Sequence, residues 1–262
     1  MKLAVNYSNP LVQLIKSGSI ETDLIKCPDW EGMLEEAAPY GPVTIHFSLD
    51  AGLGETLKLD FGRIDRFLEL THTPHVNTHL VTPRSCTPDD PTELTRVNDL
   101  WRKEIHGMIN HFGEERVVLE HFPYSPASPN IAPAADPVIF SNVVKDTGCQ
   151  LLLDLAHARI SADTMGIDVK DYIRALPVDR LSEMHVTGIQ LFSGVLTDHF
   201  KMNEEDWELL DWALNEIRSG AWREPEIVAF EYGGVGDVFV WRTEKEILKE
   251  QVPRLYEKVH FI

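Results

Sequence analysis

The sequence predicts one domain, residues 1–262, folded as a (β/α)8 barrel, and three observations carry that prediction. Eight short β-rich runs alternate with amphipathic stretches, and eight βα units fill a chain of this length as such barrels do. No GxGxxG follows the first run, as an open dinucleotide-binding sheet would require.

Each unit couples a run of strand-forming residues to a stretch whose apolar residues recur at helical spacing. "KLAVNYS" leads to a helix from Pro10 to Lys16, "TDLIKC" to "WEGMLEEAA", and "PVTIHFS" to "FGRIDRFLEL". "HVNTHLV" leads to "PTELTRVNDLWRKEIHGMINHF", and "RVVLEHF" to "PVIFSNVVKDT". "CQLLLDLAH" leads to "DVKDYIRAL", "LSEMHVTG" to "EEDWELLDWALNEIRSG", and "EIVAFEYG" to "EKEILKEQVPRLYEKV". The Pro- and Ala-rich "PYSPASPNIAPAADP" (123–137) directly follows the fifth strand, so it reads as a lid loop rather than a linker.

Composition narrows the function. With 24 basic and 42 acidic residues the formal net charge is −18, which repels phosphate backbones and anionic membrane surfaces. Neither nucleic acid nor membrane is therefore an expected partner. "MKLAVNYSNP" has one lysine and a short apolar stretch broken by polar residues and Pro10; it reads as neither signal peptide nor membrane span, and points to the cytoplasm. Cys27, Cys86 and Cys149 lack CxxC spacing and read as buried thiols rather than disulfide or zinc-ribbon positions.

The unusual feature is the set of eleven histidines. The third strand ends at His46, the fourth at His79, the fifth at Glu120, the sixth at Asp154 with His157 beyond it, the seventh at His185 and the eighth at Glu231. Asp198 and His199 follow the seventh strand in "GVLTDHF". A barrel gathers the C-terminal ends of its strands around one mouth, so these side chains can aim at a common point. Imidazoles and carboxylates without cysteine suit zinc, manganese or iron, and a divalent ion compensates carboxylates that would be costly to bury alone. One catalytic ion uses about three protein ligands, so a cluster of this size implies two or three ions.

Taken singly, His46 would be a hydrogen-bonded, half-buried residue and Asp154 a helix cap; their recurrence at six consecutive strand ends favours the cluster. Asp154 and His157 cannot share a strand face, so the strand is expected to end near Leu155, with a turn carrying His157 back. A carboxylate can bridge two ions and a neutral imidazole serves one. Asp154 is thus expected at the shared core and His157 on a flanking ion.

His106 and His111 in a helix, His260 in the tail, and His72 and His75 before the fourth strand carry no expected site role. His121 points opposite to Glu120 on a regular strand, so it packs behind the barrel or supports a ligand. Gly233 and Gly234 in "EYGGVGD" can offer backbone N–H groups to an anion. Arg84 and Arg159, each just beyond a candidate ligand, can hold a substrate carboxylate.

In this order the residues resemble the xylose-isomerase-like TIM-barrel superfamily over nearly the whole chain. Glu120, Asp154, His185 and Glu231 match the four-ligand set of its sugar isomerases and epimerases, and "DLAH" at 154–157 is similar to its DxxH. Two branches use a larger set. The order His46, His79, Glu120, Asp154, His157, His185, Asp198, Glu231 is similar to that of the three-zinc site of endonuclease IV, an activity the acidic composition disfavours. The other branch is the multinuclear non-heme iron oxidases that modify cysteines in ribosomally made peptides, typified by the methanobactin-biosynthesis enzyme. Its motifs are similar to "IHFS", "NTHL", "LEHF", "LLLDLAH", "MHVTG", "TDHF" and "FEYG" here. "TDHF" lacks the spacer of that family's D-x-H, and "LEHF" has His where the family has Asn.

The resemblance implies two or three divalent metal ions, iron first and zinc or manganese next, and O2-dependent oxidation of a peptide or thiol substrate. Two alternatives accompany it. One is a sugar isomerase or epimerase in which Glu120 and Glu231 exchange a proton beside a single Mn or Mg ion. The other is a non-catalytic metal-binding subunit whose Pro-rich loop recruits a partner protein.

Overall fold

Aliphatic and β-branched runs form the strands, and in the central ones every residue is buried, as a sheet covered on both faces requires. The structure, a computed structural model, describes residues 1–260. Its strands are β1 (Lys2–Asn6), β2 (Leu24–Pro28), β3 (Val43–His46), β4 (Asp50–Ala51), β5 (Val76–Leu80), β6 (Val117–His121), β7 (Gln150–Asp154), β8 (Leu181–Val186), β9 (Gly188–Phe192), β10 (Val195–Phe200) and β11 (Ile227–Phe230). The helices are α1 (Asn9–Lys16), α2 (Met33–Ala37), α3 (Phe61–Thr71), α4 (Pro91–Phe112), α5 (Ala132–Ala135), α6 (Pro137–Thr147), α7 (Leu155–Met165), α8 (Val169–Arg174), α9 (Glu204–Arg218) and α10 (Lys245–His260).

Nine strands form one parallel sheet in the order β3-β2-β1-β11-β8-β7-β6-β5-β4. The two ends of that order, β3 and β4, are consecutive in the chain, so the sheet curls into the expected α/β barrel. The seam between β3 and β5 is latched by a side chain. Asn77 Oδ1 accepts the Phe47 N–H at 2.7 Å, and its Nδ2 donates to Phe47 O at 3.0 Å. Beyond it β4 pairs with β5, His79 N–H donating to Leu49 O and Val81 N–H to Ala51 O, both at 2.9 Å. Gly52 follows at φ 122°, where a Cβ would lie 2.0 Å from Val81 O; only glycine fits. Buried Glu104 of α4 holds this turn, accepting from Gly52 N, Gly54 N, Thr56 N and Thr56 Oγ1.

Two features depart from the expected alternation. The stretch after β7 is a full helix, α7, ahead of the expected α8, with Asp154 as its N-cap. The segment 188–200, which follows the seventh expected strand and carries Asp198 and His199, forms the antiparallel hairpin β9–β10 beside the barrel mouth. The Pro-rich segment 123–137 carries the short α5 and returns at Asp136, which caps α6. Among the described residues no helix is long and apolar enough to cross a membrane.

Candidate metal centre

Strand register sets the heights of the strand-end groups. His79 is level with Glu120 across β5–β6, Asp154 with His185 across β7–β8, and Asp50 with His79 across β4–β5. The Glu231 N–H donates to Val186 O at 3.0 Å, which fixes Glu231 just past β11 beside the end of β8.

Glu120 stands in the middle. Its Oε2 lies 3.1 Å from His79 Nε2 and 3.9 Å from His46 Nε2; its Oε1 lies 3.3 Å from His157 Nδ1 and 3.5 Å from His185 Nδ1. His185 Nδ1 is also 3.8 Å from Asp154 Oδ2 and 3.4 Å from Glu231 Oε2. His157 donates from Nδ1 to His121 O at 2.9 Å, which leaves Nε2 facing Asp154 and Asp198. Asp50 lies 3.5 Å from His79 Nδ1 and orients that ring in the same way, with Nε2 inward.

Three atoms in this cluster are buried without any hydrogen-bond partner: Glu120 Oε2, Asp154 Oδ2 and His185 Nδ1. Buried acceptors left unpaired are costly, and three converging on one space fit a cation between them. Three sets of side chains have ligand atoms within 4.8 Å of one another: His46, His79 and Glu120; Glu120, Asp154 and His157; and His46, His185 and Glu231. All offer nitrogen and oxygen only, the donor set of iron, zinc or manganese.

Without a cation the cluster balances its charge with protons. Burial depresses the basicity of His79, but Glu120 and Asp50 outweigh it and raise its pKa to about 10. Burial acts likewise on His157, where Asp154, Asp198 and Glu120 outweigh it and raise the pKa to about 9. Burial would lift Glu120 and Glu231, yet the imidazoles around Glu120, and His185 with Lys26 around Glu231, hold both well below the carboxylate range. For Asp154 burial wins and the pKa rises. His46, depressed by burial and then by Lys26, is held well below the usual histidine range.

A second layer of charge lies beneath, and the sequence reading missed it. Lys26 of β2 is buried, its Nζ 2.5 Å from Glu231 Oε1 and 2.6 Å from His185 Nε2. Glu183 Oε1 accepts from His185 Nε2 at 2.8 Å, and its other oxygen is bonded to His75. His75, assigned no role from sequence, thus supports Glu183 under the centre. Glu183 lies two residues before His185 on the same strand face, a spacing that flags it; Lys26 has only its setting in "LIKCP" to mark it.

Asp198 and His199 are adjacent, yet both line the cavity. The β9–β10 register shifts between Thr197 and Phe200, and His199 has φ 60°, so the bulge turns two successive side chains inward. Asp198 Oδ2 is 3.1 Å from His157 Nε2, and His199 Nε2 is 3.9 Å from Glu231 Oε2.

The cavity above the cluster is about 490 Å³ and is walled by Tyr7, Trp30, Phe122 and Phe239. Gly233 and Gly234 line it, but their N–H groups donate to His199 O and Thr243 Oγ1, which corrects the expected anion cradle. Arg159 does not reach the cavity; it bridges α7 to Glu205 and Asp206 of α9. Arg84 is exposed and also off the cavity wall. His121 is wholly buried behind the sheet against Phe140 and Tyr172, and burial lowers its pKa to about 3.

Residues 104–222, which carry Glu120, Asp154, His157, His185, Asp198 and His199, match the family model described as "RiPP precursor modification enzyme MbnB/TglH/ChrH". The chain is 24% identical over 218 residues to a UPF0276 protein of Acaryochloris marina, covering 80% of this chain and 74% of that protein. Its fold is similar to an AP endonuclease, family 2, from Brucella melitensis (TM-score 0.61, 12% identity, 96% of this chain and 98% of the other). It is also similar to a D-psicose 3-epimerase (TM-score 0.59, 16% identity, 100% and 99%). These likenesses show the fold, a TIM barrel.

Proposed function

We propose that this chain is a multimetal oxidase that acts on a cysteine-bearing peptide, with dioxygen as the electron acceptor. The observation that carries the reading is that two of the candidate metal sets share Glu120, whose two oxygens face different imidazoles, so neighbouring ions would be bridged there rather than isolated. The family match over residues 104–222 supports the same reading. Bound ferrous ions would supply the redox chemistry with oxygen and the affinity for a thiolate.

The chain's own residues do the rest. The proposed ligands are drawn from His46, His79, Glu120, Asp154, His157, His185, Asp198, His199 and Glu231. Asp50 and the His121 carbonyl fix the tautomers of His79 and His157. Tyr7, Trp30, Phe122 and Phe239 offer apolar surface to a peptide and limit water beside the centre. The lining contains no arginine, and Lys26 is already bonded to Glu231. A substrate is therefore held by apolar contact and its thiol rather than by a carboxylate or phosphate.

Proton exchange between Glu120 and Glu231 on a sugar is the second reading, favoured by their common contact with His185 Nδ1. Against it, both carboxylates are held well below their usual range and are weak bases. Anaerobic loading with Fe(II), addition of an amidated cysteine peptide and exposure to O2 tests the choice. Peptide-dependent oxygen uptake with a mass change in the peptide, lost in Glu120→Gln, is expected. An iron-loaded protein indifferent to oxygen, or solvent deuterium entering a ketose with Mn-loaded protein, would overturn the oxidase reading.

A further inference from the structure

We infer that Lys26 is a resident cation that closes one of the three candidate metal positions, so that the centre takes two divalent ions and not three. The inference rests on the multimetal reading above and adds to it a count and a cause.

Of the three ligand sets, only His46, His185 and Glu231 includes a side chain bonded to an ammonium group, Glu231, and a second, His185, that lies beside it. Lys26 Nζ lies 2.5 Å from Glu231 Oε1 and 2.6 Å from His185 Nε2, with Glu183 Oε1 at 3.8 Å. It is 3% exposed, so solvent screens it little. A divalent ion in that set would face a positive charge across two of its own ligands. Glu231 would also have only Oε2 to give, because Oε1 is taken. The buried charge of Glu231 is already compensated, which removes the usual reason for a buried carboxylate to recruit a metal.

The unpartnered atoms point the same way. Glu120 Oε2 belongs to the set with His46 and His79, and Asp154 Oδ2 to the set with Glu120 and His157. His185 Nδ1, the third, lies 3.4 Å from Glu231 Oε2 but also within 3.8 Å of both Glu120 Oε1 and Asp154 Oδ2, so it can complete the second set instead of founding a third. Glu183 then accepts the Nε2 proton of His185. Two positions joined through Glu120 use all three orphaned atoms of the cluster.

Equilibrium dialysis of the full chain against Mn(II), with bound metal counted by elemental analysis and the spectrum read by electron paramagnetic resonance, tests this. The wild type is expected to hold two ions as a coupled pair. Lys26→Met, which removes the ammonium and frees Glu231 Oε1, is expected to gain a third ion, and Lys26→Arg to stay at two. Should Lys26→Met fail to fold, Lys26→Met combined with Glu231→Gln removes both charges of the pair and is expected to fold and hold two. Three ions in the wild type, or two in a folded Lys26→Met protein, overturn the inference alone. One ion or none in the wild type overturns the multimetal reading as well.

Discussion

Asp154 accepts the backbone N–H of His157 on Oδ1 at 2.8 Å while its Oδ2 faces the centre without a partner. One carboxylate therefore starts α7 and also presents a single free oxygen to a metal. The expected bridging role passes to Glu120, whose two oxygens both face imidazoles.

Asparagine at 154 keeps an oxygen for the cap but not a second one for a metal; alanine keeps neither. Chelator-treated Asp154→Ala should be less stable than Asp154→Asn by about 1 kcal/mol, the worth of an N-cap, in urea unfolding. Metal content should fall alike in both. Equal stability of the two variants would show that the cap contributes nothing.

Glu120→Gln should strip metal from both positions, whereas His79→Ala and His157→Ala should each cost chiefly one. Elemental analysis of the three proteins side by side decides it. A glutamine variant that keeps one full equivalent would show that Glu120 does not bridge.

The neighbouring carboxylates raise His79 to about 10 and His157 to about 9, so both carry protons at pH 7 until a metal binds. A metal must displace them, and its apparent affinity should rise as pH climbs from 7 toward 9, by about tenfold per unit for each proton released. Calorimetry of Zn(II) binding in two buffers of different ionisation enthalpy should report at least the two protons of His79 and His157, because the carboxylates around His185 raise its pKa as well. A heat that is the same in both buffers would contradict the assignment.

Glu104 belongs to none of the candidate metal sets but ties four donors of the 52–56 turn to α4. Glu104→Ala leaves buried N–H groups unpaired and should destabilise the fold by about 3 kcal/mol. Urea unfolding followed by tryptophan fluorescence would read the loss, since Trp101 packs in this corner. A change under about 0.5 kcal/mol, typical of an idle surface site, would refute the role.

Much of this fold is written locally. Asp90–Pro91 and Asp136–Pro137 supply a cap and a first-turn proline, and α4 and α6 begin where those pairs say. The strand-end groups were legible because barrel geometry turns sequence position into spatial position. Helix α7 was not, because Leu155, Ala156, His157, Ala158 and Ile160 are all buried and leave it no polar stripe to announce a period. Lys26 and Glu183 were hidden for another reason: lone charges in strands are ordinarily solvated, and only the closed barrel brings these two beneath the histidines. The inward turn of both Asp198 and His199 depends on a bulge, which strict alternation along a strand cannot express.

The Asn77 latch gives the barrel a mechanical polarity. Around most of the hoop, neighbouring strands are stitched by main-chain ladders, but across this one join the stitching is the Asn77 amide, the Thr73 hydroxyl on Ile45 N–H and a two-residue strand. A ring yields at its weakest fastener, so opening should begin there. His46 stands on one side of the join, and His79 with Glu120 on the other. An ion gripped by all three would be a rivet through the clasp, so the cargo that arms the centre would also keep the hoop from springing apart.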